Sequence, residues 1–467
     1  MTMVFRVQGG SGRELKDASS PGAQISIQQL QGLTSSDPVF TYVLNNPARD
    51  AFVITSKDGG SRFSKVNAYG KSVGHAITLP DVQAGQGYAA SDGTFVHVGL
   101  FKPDSNHRSP TFVVATMGPS GAVTNASSYQ VGDGAAISSD LQATSNGKGG
   151  TVLVGNYIDK GSNSSCMVVN IANNGTVLFA NTYSPRAIPE SRNAKGAQCV
   201  TTKAGEILVA GVCCQEASPF VFKLKADGTL AWPGSWVPWP RLAGEVTIGG
   251  LGELTDGSIV VAYNKAGKNG TASNCYLTRL SPSHDGSSMH PTAYQLSYNN
   301  DTACQVSKLT LAPNGEIIAT GTLNGTQASS NMFTARLGMR KEGNHKELYV
   351  IEANRFQTNS SRGDSGAVYP DGSILAAGQH SETETLVMKL NSAGQVPECS
   401  LLEEISLSRE SSDPLYVGAL WQATRLGLDS ENLTLRETSR PIPVGKLLCS
   451  FNNASAWILN LLLNSYD

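Results

Sequence analysis

Ser365 is the first side chain in this sequence that could carry a reaction. It stands in Gly363-Asp364-Ser365-Gly366, a glycine-flanked serine with an acid beside it. Such a serine attacks a carbonyl only when a histidine takes its proton and a carboxylate orients that histidine. The seven histidines do not supply the partner. His97 lies within an apolar run and reads as a tolerated strand residue, and His284 and His290 share a loop without ligand spacing. The corresponding stretch elsewhere, Gly249-Gly250-Leu251-Gly252, has no reactive side chain, so the serine reads as part of a repeat. Arg362-Gly363-Asp364, overlapping it, spells an integrin-type tripeptide that turn chemistry also explains. The cysteines number eight, which permits disulfides without requiring them. Cys166 and Cys275 open the same strand in two units and read as small buried thiols. Cys213 and Cys214, adjacent in a strand, are expected to face opposite ways, and Cys399 and Cys449, outside the regular part of the chain, are the expected disulfide. No Cys-X-X-Cys or paired-His spacing occurs, so neither a zinc site nor any other metal or cofactor is expected.

The elements that must position these residues recur. Asp92-Gly93, Gly149-Gly150, Ala204-Gly205, Asp256-Gly257, Asn314-Gly315 and Asp371-Gly372 are glycine turns whose second residues lie 57, 55, 52, 58 and 57 residues apart. A constant interval of this size marks an array of supersecondary units. After each turn comes a short apolar run closed by Gly, as in Ile207 to Gly211, Ile317 to Gly321 and Ile374 to Gly378; Tyr263 takes the closing place in one unit. Runs of this length without helical period read as strands covered on both faces. A second strand ends in a basic residue beside an aliphatic one: Lys65-Val66, Lys223-Leu224, Arg279-Leu280, Arg336-Leu337 and Lys389-Leu390. One of each pair is expected to be buried and the other solvated. Counting these pairs, with Thr116-Met117 and Asn170-Ile171 in the two exceptional units, gives seven units with room for four antiparallel strands each. The expected fold is an all-β seven-bladed β-propeller over residues 38–400, closure of the ring protecting the sheet edges. Ala423-Thr424-Arg425-Leu426 echoes Thr334-Ala335-Arg336-Leu337 and leaves eight blades as the alternative.

This grammar of Asp371-Gly372, Ser373 to Gly378 and Leu386 to Gly394 resembles the divergent bacterial-type propeller repeats of the delta-60 and SBBP kind, over about three quarters of the chain. The resemblance implies a fold and an extracellular or envelope compartment, and it carries no catalytic residue across. Ser56 to Phe63, with Asp58, Gly59 and Gly60 at its centre, is similar to the Asp-box of sialidase-like propellers, a structural hairpin found here once. A sialidase also needs an arginine cluster with a Tyr and Glu pair; Arg186, Arg192 and Arg241 could contribute, but no local pattern joins them. A quinoprotein would want Trp in every blade, and the five Trp residues are not spread that way.

Composition narrows the partners. Charged residues make up 15% of the 467, Gly contributes 49, and the net charge is -2. The charge balance argues against nucleic acid, and no apolar stretch reaches the roughly 20 residues of a membrane-spanning helix. Nine Asn-X-Ser/Thr acceptors, at Asn125, Asn163, Asn174, Asn269, Asn300, Asn324, Asn359, Asn432 and Asn453, suit a secreted chain, although a chain rich in Asn, Ser and Thr also produces them by chance. The opening Met1-Thr2-Met3-Val4-Phe5-Arg6 has no signal-peptide core, which leaves cytoplasmic residence, or a sequence that begins after processing, as alternatives to an extracellular or secretory/envelope lumen.

Trp232, Trp236 and Trp239 are interleaved with Pro233, Pro238 and Pro240 in a stiff segment that is not expected to run far as a central strand. Flat rings on such a segment suit a glycan or a partner's apolar side chain, and they also suit covering the gap between two blades. Residues 1–37 hold Val4 to Val7 and Gln24 to Ile27 as strands that could close the ring. Residues 401–467 form a C-terminal extension, a partial blade or a docking segment, with Lys446 to Leu448 and the apolar Trp457 to Leu463. Together these features favour a non-catalytic propeller presenting loops to a protein or glycan. The alternatives are a glycan hydrolase or lyase using the central funnel, and a structural subunit of a large assembly.

Overall fold

Each glycine turn is built the same way. Gly93, Gly149, Gly205, Gly257, Gly315 and Gly372 hold φ between 78° and 86°, a left-handed conformation open to glycine at little cost. In four of the six the residue before it caps the turn: Asp92, Asp256, Asn314 and Asp371 accept the backbone N–H two residues on at 2.9–3.1 Å. In the second turn Gly149, not Gly150, reverses the chain; an added Cβ on Gly150 would lie 2.2 Å from the Ile171 carbonyl.

The run after each turn is buried on both faces, throughout in Ile207–Cys213 and Ile317–Leu323. Its closing glycine answers to crowding. A Cβ on Gly211 would sit 2.1 Å from the Lys195 carbonyl, and one on Gly378 1.8 Å from that of Arg362. The basic–aliphatic pairs resolve into two jobs. Val66, Leu224, Leu280, Leu337 and Leu390 are all buried. Their basic neighbours are not left to water as expected. Lys223 pairs with Glu206, Arg279 with Asp256 at 3.1 Å, and Arg336 with Glu316 at 2.6 Å; Lys389 donates to Ser373 and lies over the Tyr369 ring. Each of these bonds ties the third strand back to the turn that starts the second.

In the computed structural model the described residues lie between Gln24 and Asn452, without residues 31–40, 102–110, 186–192, 267–273, 283–288, 299–303, 324–329 and several other short stretches, and with backbone alone for some strands. All the described elements are strands, in seven antiparallel sheets. Taken in order the repeats form blade 1 (41–79), blade 2 (82–131), blade 3 (136–185), blade 4 (194–239), blade 5 (246–298), blade 6 (304–356) and blade 7 (361–390). Packing of each blade on the next makes this a seven-bladed β-propeller. The fourth strand of blade 7 is Gln24–Leu30, antiparallel to Glu384–Leu390.

Past residue 400 the chain builds a fifth strand on every blade. Leu402–Glu404 pairs with blade 6, Leu407–Ser412 with blade 5, Leu415–Ala419 with blade 4, Trp421–Arg425 with blade 3, Leu428–Asn432 with blade 2, Thr438–Pro441 with blade 1 and Lys446–Asn452 with blade 7. The tail therefore circles the propeller once against the order of the repeats, as a belt. Ala423 to Leu426, the echo that suggested an eighth blade, is part of the belt on blade 3, with Arg425 opposite Asn181. The belt lowers apolar side chains into the seams it crosses: Ile405 and Leu407 between blades 6 and 5, Trp421 between 4 and 3, Leu426 and Leu428 between 3 and 2, Leu433 and Leu435 between 2 and 1. The stretches Val4 to Val7 and Trp457 to Leu463 lie outside the described residues.

Candidate functional site

The innermost strands of the blades bring a set of polar residues to the ring axis. Four of these strands carry a bulge at one register, at Gly196/Gln198, Ile248/Gly250, Val306/Lys308 and Gly363/Ser365. A bulge re-aims the side chains that follow it. After it, Gln198, Gly250, Lys308 and Ser365 stand opposite equivalent residues of their second strands, Ala210, Ala262, Thr320 and Ala377, and Gln142 stands opposite Val154. All five, and Gln86 in blade 2, precede their turning glycine by seven residues (for example 205 − 198 = 7 and 315 − 308 = 7).

On the side of the glycine turns, Gln142, Gln198 and Lys308 of this ring line a cavity of about 1040 Å³, walled by blades 2 to 7. Its glutamines are fixed. Gln142 Nε2 donates to Gln198 Oε1 at 2.7 Å, and Gln142 Oε1 accepts the Cys199 N–H at 2.7 Å. Two hydroxyls are spent on the wall, Thr201 on the Ser145 carbonyl and Thr310 on that of Gly366. The ionisable lining residues are Tyr88, Asp92, Cys199, Lys203, Glu253 and Lys308. Tyr88 donates to the Gly150 carbonyl. Asp92 is held below the usual carboxylate range by the side chain and N–H of Thr94, and Glu253 accepts the Lys203 N–H at 2.9 Å. Burial pushes the Cys199 thiol up to about 12, so it stays neutral at pH 7. Burial lowers the Lys308 ammonium from its ordinary range, and among the described residues its Nζ has neither a hydrogen bond nor an ion pair. Its side chain lines the lumen. A smaller cavity of about 360 Å³ lies toward the opposite face, with Asp140, Asn156, Lys195 and Glu245 in its wall.

The residues singled out in the sequence do not gather here. Ser365 is buried in the innermost strand of blade 7, and Arg362 pairs with Asp364 at 2.7 Å, which ties up the charges of the Arg-Gly-Asp stretch. His97 is fully buried between blades 1 and 2, with its ring edge against Phe63. Ser61 Oγ donates to the Val82 carbonyl, so the 2.9 Å contact to His97 Nε2 is a donation from the imidazole. Burial lowers the His97 pKa to about 3, and the ring is neutral. Among the described residues no three His, Cys, Asp or Glu side chains group as metal ligands.

Cys166 remains a free buried thiol, whereas Cys275 forms a disulfide with Cys304, linking blade 5 to blade 6. The shared packing slot hid this, because the partner comes from the following unit. Cys213 and Cys214 do not face apart. Cys214 takes φ 63°, which breaks the strand alternation and brings the two sulfurs to 2.9 Å. Cys399 is disulfide-bonded, and the side chain of Cys449 lies outside those described.

The Trp-Pro segment is a blade strand. Ser235–Trp239 is the fourth strand of blade 4, pairing inward at Trp236 with Val221 and outward with the belt over five residues. The segment joins the sheet for five residues and pairs inward at one, a short run of the kind its prolines imply, since Pro238 has no N–H to donate. Trp232 is half-buried against the cluster between blades 4 and 5, beneath the Lys223 ammonium at 5.9 Å. Side chains of Trp236 and Trp239 lie outside those described. Asn125, Asn163, Asn174 and Asn432 are exposed; Asn269, Asn300, Asn324, Asn359 and Asn453 lie outside the described residues, as do Arg186, Arg192 and Arg241.

No family model matches the chain, and no curated protein matches it. Solved structures similar to it include the Dos1 propeller (9% identity, 78% of this chain and 95% of that one, TM-score 0.42). Drosophila Plexin A in complex with Semaphorin 1b (8%, 80% and 90%, 0.42) and NanB with Optactamide (10%, 78% and 70%, 0.41) are similar at the same level.

Proposed function

We propose that this chain is a non-catalytic propeller module, with repeats of the delta-60/SBBP kind, that binds a protein or glycan at the turn-side mouth of its central cavity. One observation carries the reading. The cavity presents two lysines, Lys308 in its buried wall and Lys203 at its exposed edge, whose Nζ groups have no hydrogen bond or ion pair among the described residues, while both its carboxylates accept turn and backbone hydrogen bonds. An acid–base or nucleophile–base pair needs two free groups within hydrogen-bond reach. A binding site needs a shaped polar pocket with a few unmet donors, and an acidic group of the ligand would meet Lys308. The Cys275–Cys304 bond and four exposed Asn-X-Ser/Thr acceptors support residence outside the cytosol.

The test is a solid-phase screen of the whole chain against neutral, sialylated and uronic-acid glycans and against acidic peptides. Thr144→Trp, which fills the cavity, and Lys308→Met serve as comparisons, with Trp236→Ala as the control for the Trp-Pro segment. Retention that both cavity variants lose and Trp236→Ala keeps supports the reading. Retention unchanged by Thr144→Trp, cleavage of a glycan, or no retention on any surface defeats it.

A further inference from the structure

Belt and propeller begin and end at the same blade. The belt leaves blade 7 after Glu384–Leu390, visits blades 6 to 1 in turn, and returns to blade 7 as Lys446–Asn452. At its start Cys399 is buried in the apolar cluster that contains Met388 of that blade. At its end Cys449 stands opposite Ile27, and Ile27 stands opposite Met388. The two cysteines are therefore brought to one blade by opposite ends of a chain segment that has gone round the whole ring.

Cysteine counting points the same way. Of the eight, Cys275 and Cys304 are bonded to each other, and Cys166, Cys199, Cys213 and Cys214 form no disulfide among the described residues. Cys399 is disulfide-bonded, which leaves Cys449 as its partner within the chain. We propose that a Cys399–Cys449 disulfide clasps the belt, so that residues 399–449 (449 − 399 + 1 = 51 residues) form a covalently closed hoop around the propeller. Closure is an oxidation. One cysteine thiolate attacks an exchangeable disulfide of a thiol-oxidising protein; the second displaces it from the mixed disulfide. One S–S bond forms here, and the donor disulfide leaves as a dithiol with the two electrons and two protons. Reduction alone would then leave the belt held by its strand pairs and seam side chains, while a break in the belt backbone alone would leave it held by the clasp.

Two measurements on the full chain decide it. Thiols are first alkylated under native conditions, and the protein is then digested without reductant. Mass spectrometry is expected to find one peptide pair containing Cys399 and Cys449, two hydrogens lighter than the separate thiol peptides. Alkylated Cys399 or Cys449, or either one linked to a different cysteine, overturns the proposal. In the second, a protease site is inserted after Ser412, in the belt between blades 5 and 4. After cutting, the wild-type chain is expected to run as one species in denaturing gels without reductant and as two with it; Cys449→Ser should give two in both. Two pieces from the wild-type background without reductant would refute the clasp, and the peptide map stands even if the serine variant does not fold.

Discussion

The blades and the belt are made of the same strands and stabilised in opposite ways. Within a blade, strands pair with their neighbours in sequence, the fourth strand of blade 7 excepted, and most of the stabilising contacts are local. The belt pairs with residues far away: the Glu437 carboxylate accepts the N–H of Val123, 314 residues earlier, and the Thr424 carbonyl accepts from Thr182 across 242 residues. It has no partner until the ring exists, so it docks on a structure that local contacts have already built. What it adds is protection of the edge. Seven outer strands would otherwise offer unpaired N–H and C=O groups to other chains. Blades make the ring, and the belt removes seven templates for aggregation from its rim.

The sharpest way to break this contrast is to end the chain before Cys399. Burial of Ile405, Leu407 and Trp421 alone is lost, each contributing about 1.5–3 kcal/mol, together comparable to the roughly 5–15 kcal/mol that keeps a domain folded. The expected outcome is a chain that is insoluble or unfolds at a much lower temperature by circular dichroism. A soluble, cooperatively melting truncation would make the belt an ornament. Next in size is Trp421→Ala. The Trp421 ring lies 4.5 Å from Phe220 and 5.0 Å from Phe222, in the seam between blades 4 and 3. Removing it is expected to cost about 3–5 kcal/mol in urea melts, as much as Phe222→Ala inside the blade. A belt that only rests on the surface would lose less than about 0.5 kcal/mol.

The two regions differed as much in how well they could be read. Turn chemistry and the interval between glycines made the blades legible, because Asp92, Asp256, Asn314 and Asp371 each announce a reversal that backbone sterics then require. The belt carries no turn code: its strands are set by blade edges rather than by each other, and only Ala423 to Leu426 resembled a repeat. The cavity ring was legible in principle, seven residues before each turning glycine. Taking Gly150 in place of Gly149 shifts that count by one, and a one-residue slip sends a strand's side chains to the other face. The Gly-Asp-Ser-Gly comparison was off by one residue in the same way, since the register aligns Ser365 with Gly250 and not with Leu251.

Acid should separate the regions next, because the buried histidine belongs to the blades. The folded pKa of His97 is about 3, and the unfolded value is about 6.5. The unfolded chain therefore binds the extra proton first. This contribution to stability is complete above about pH 6.5 and is lost as pH falls toward 3, at about 1.4 kcal/mol per pH unit. His97→Leu, which leaves Ser61 bonded to Val82, is expected to flatten that slope in melts between pH 6.5 and 4, whereas Trp421→Ala should lower stability equally at every pH. An unchanged slope in His97→Leu would place the acid sensitivity elsewhere.

The smallest effect is the one that locates where the belt gains its energy. Gln422 follows Trp421 on the same strand and is exposed, and its backbone keeps the pairing with Ser184 whatever side chain it carries. Gln422→Lys is expected to change stability by less than about 0.5 kcal/mol, as surface positions do. Neighbouring substitutions would then differ several-fold on one five-residue strand. A cost for Gln422→Lys near that of Trp421→Ala would mean that the outer face of the belt is itself covered, by residues outside those described or by another chain. In that case the rim would be an interface, and the edge protection attributed to the belt would belong to whatever covers it.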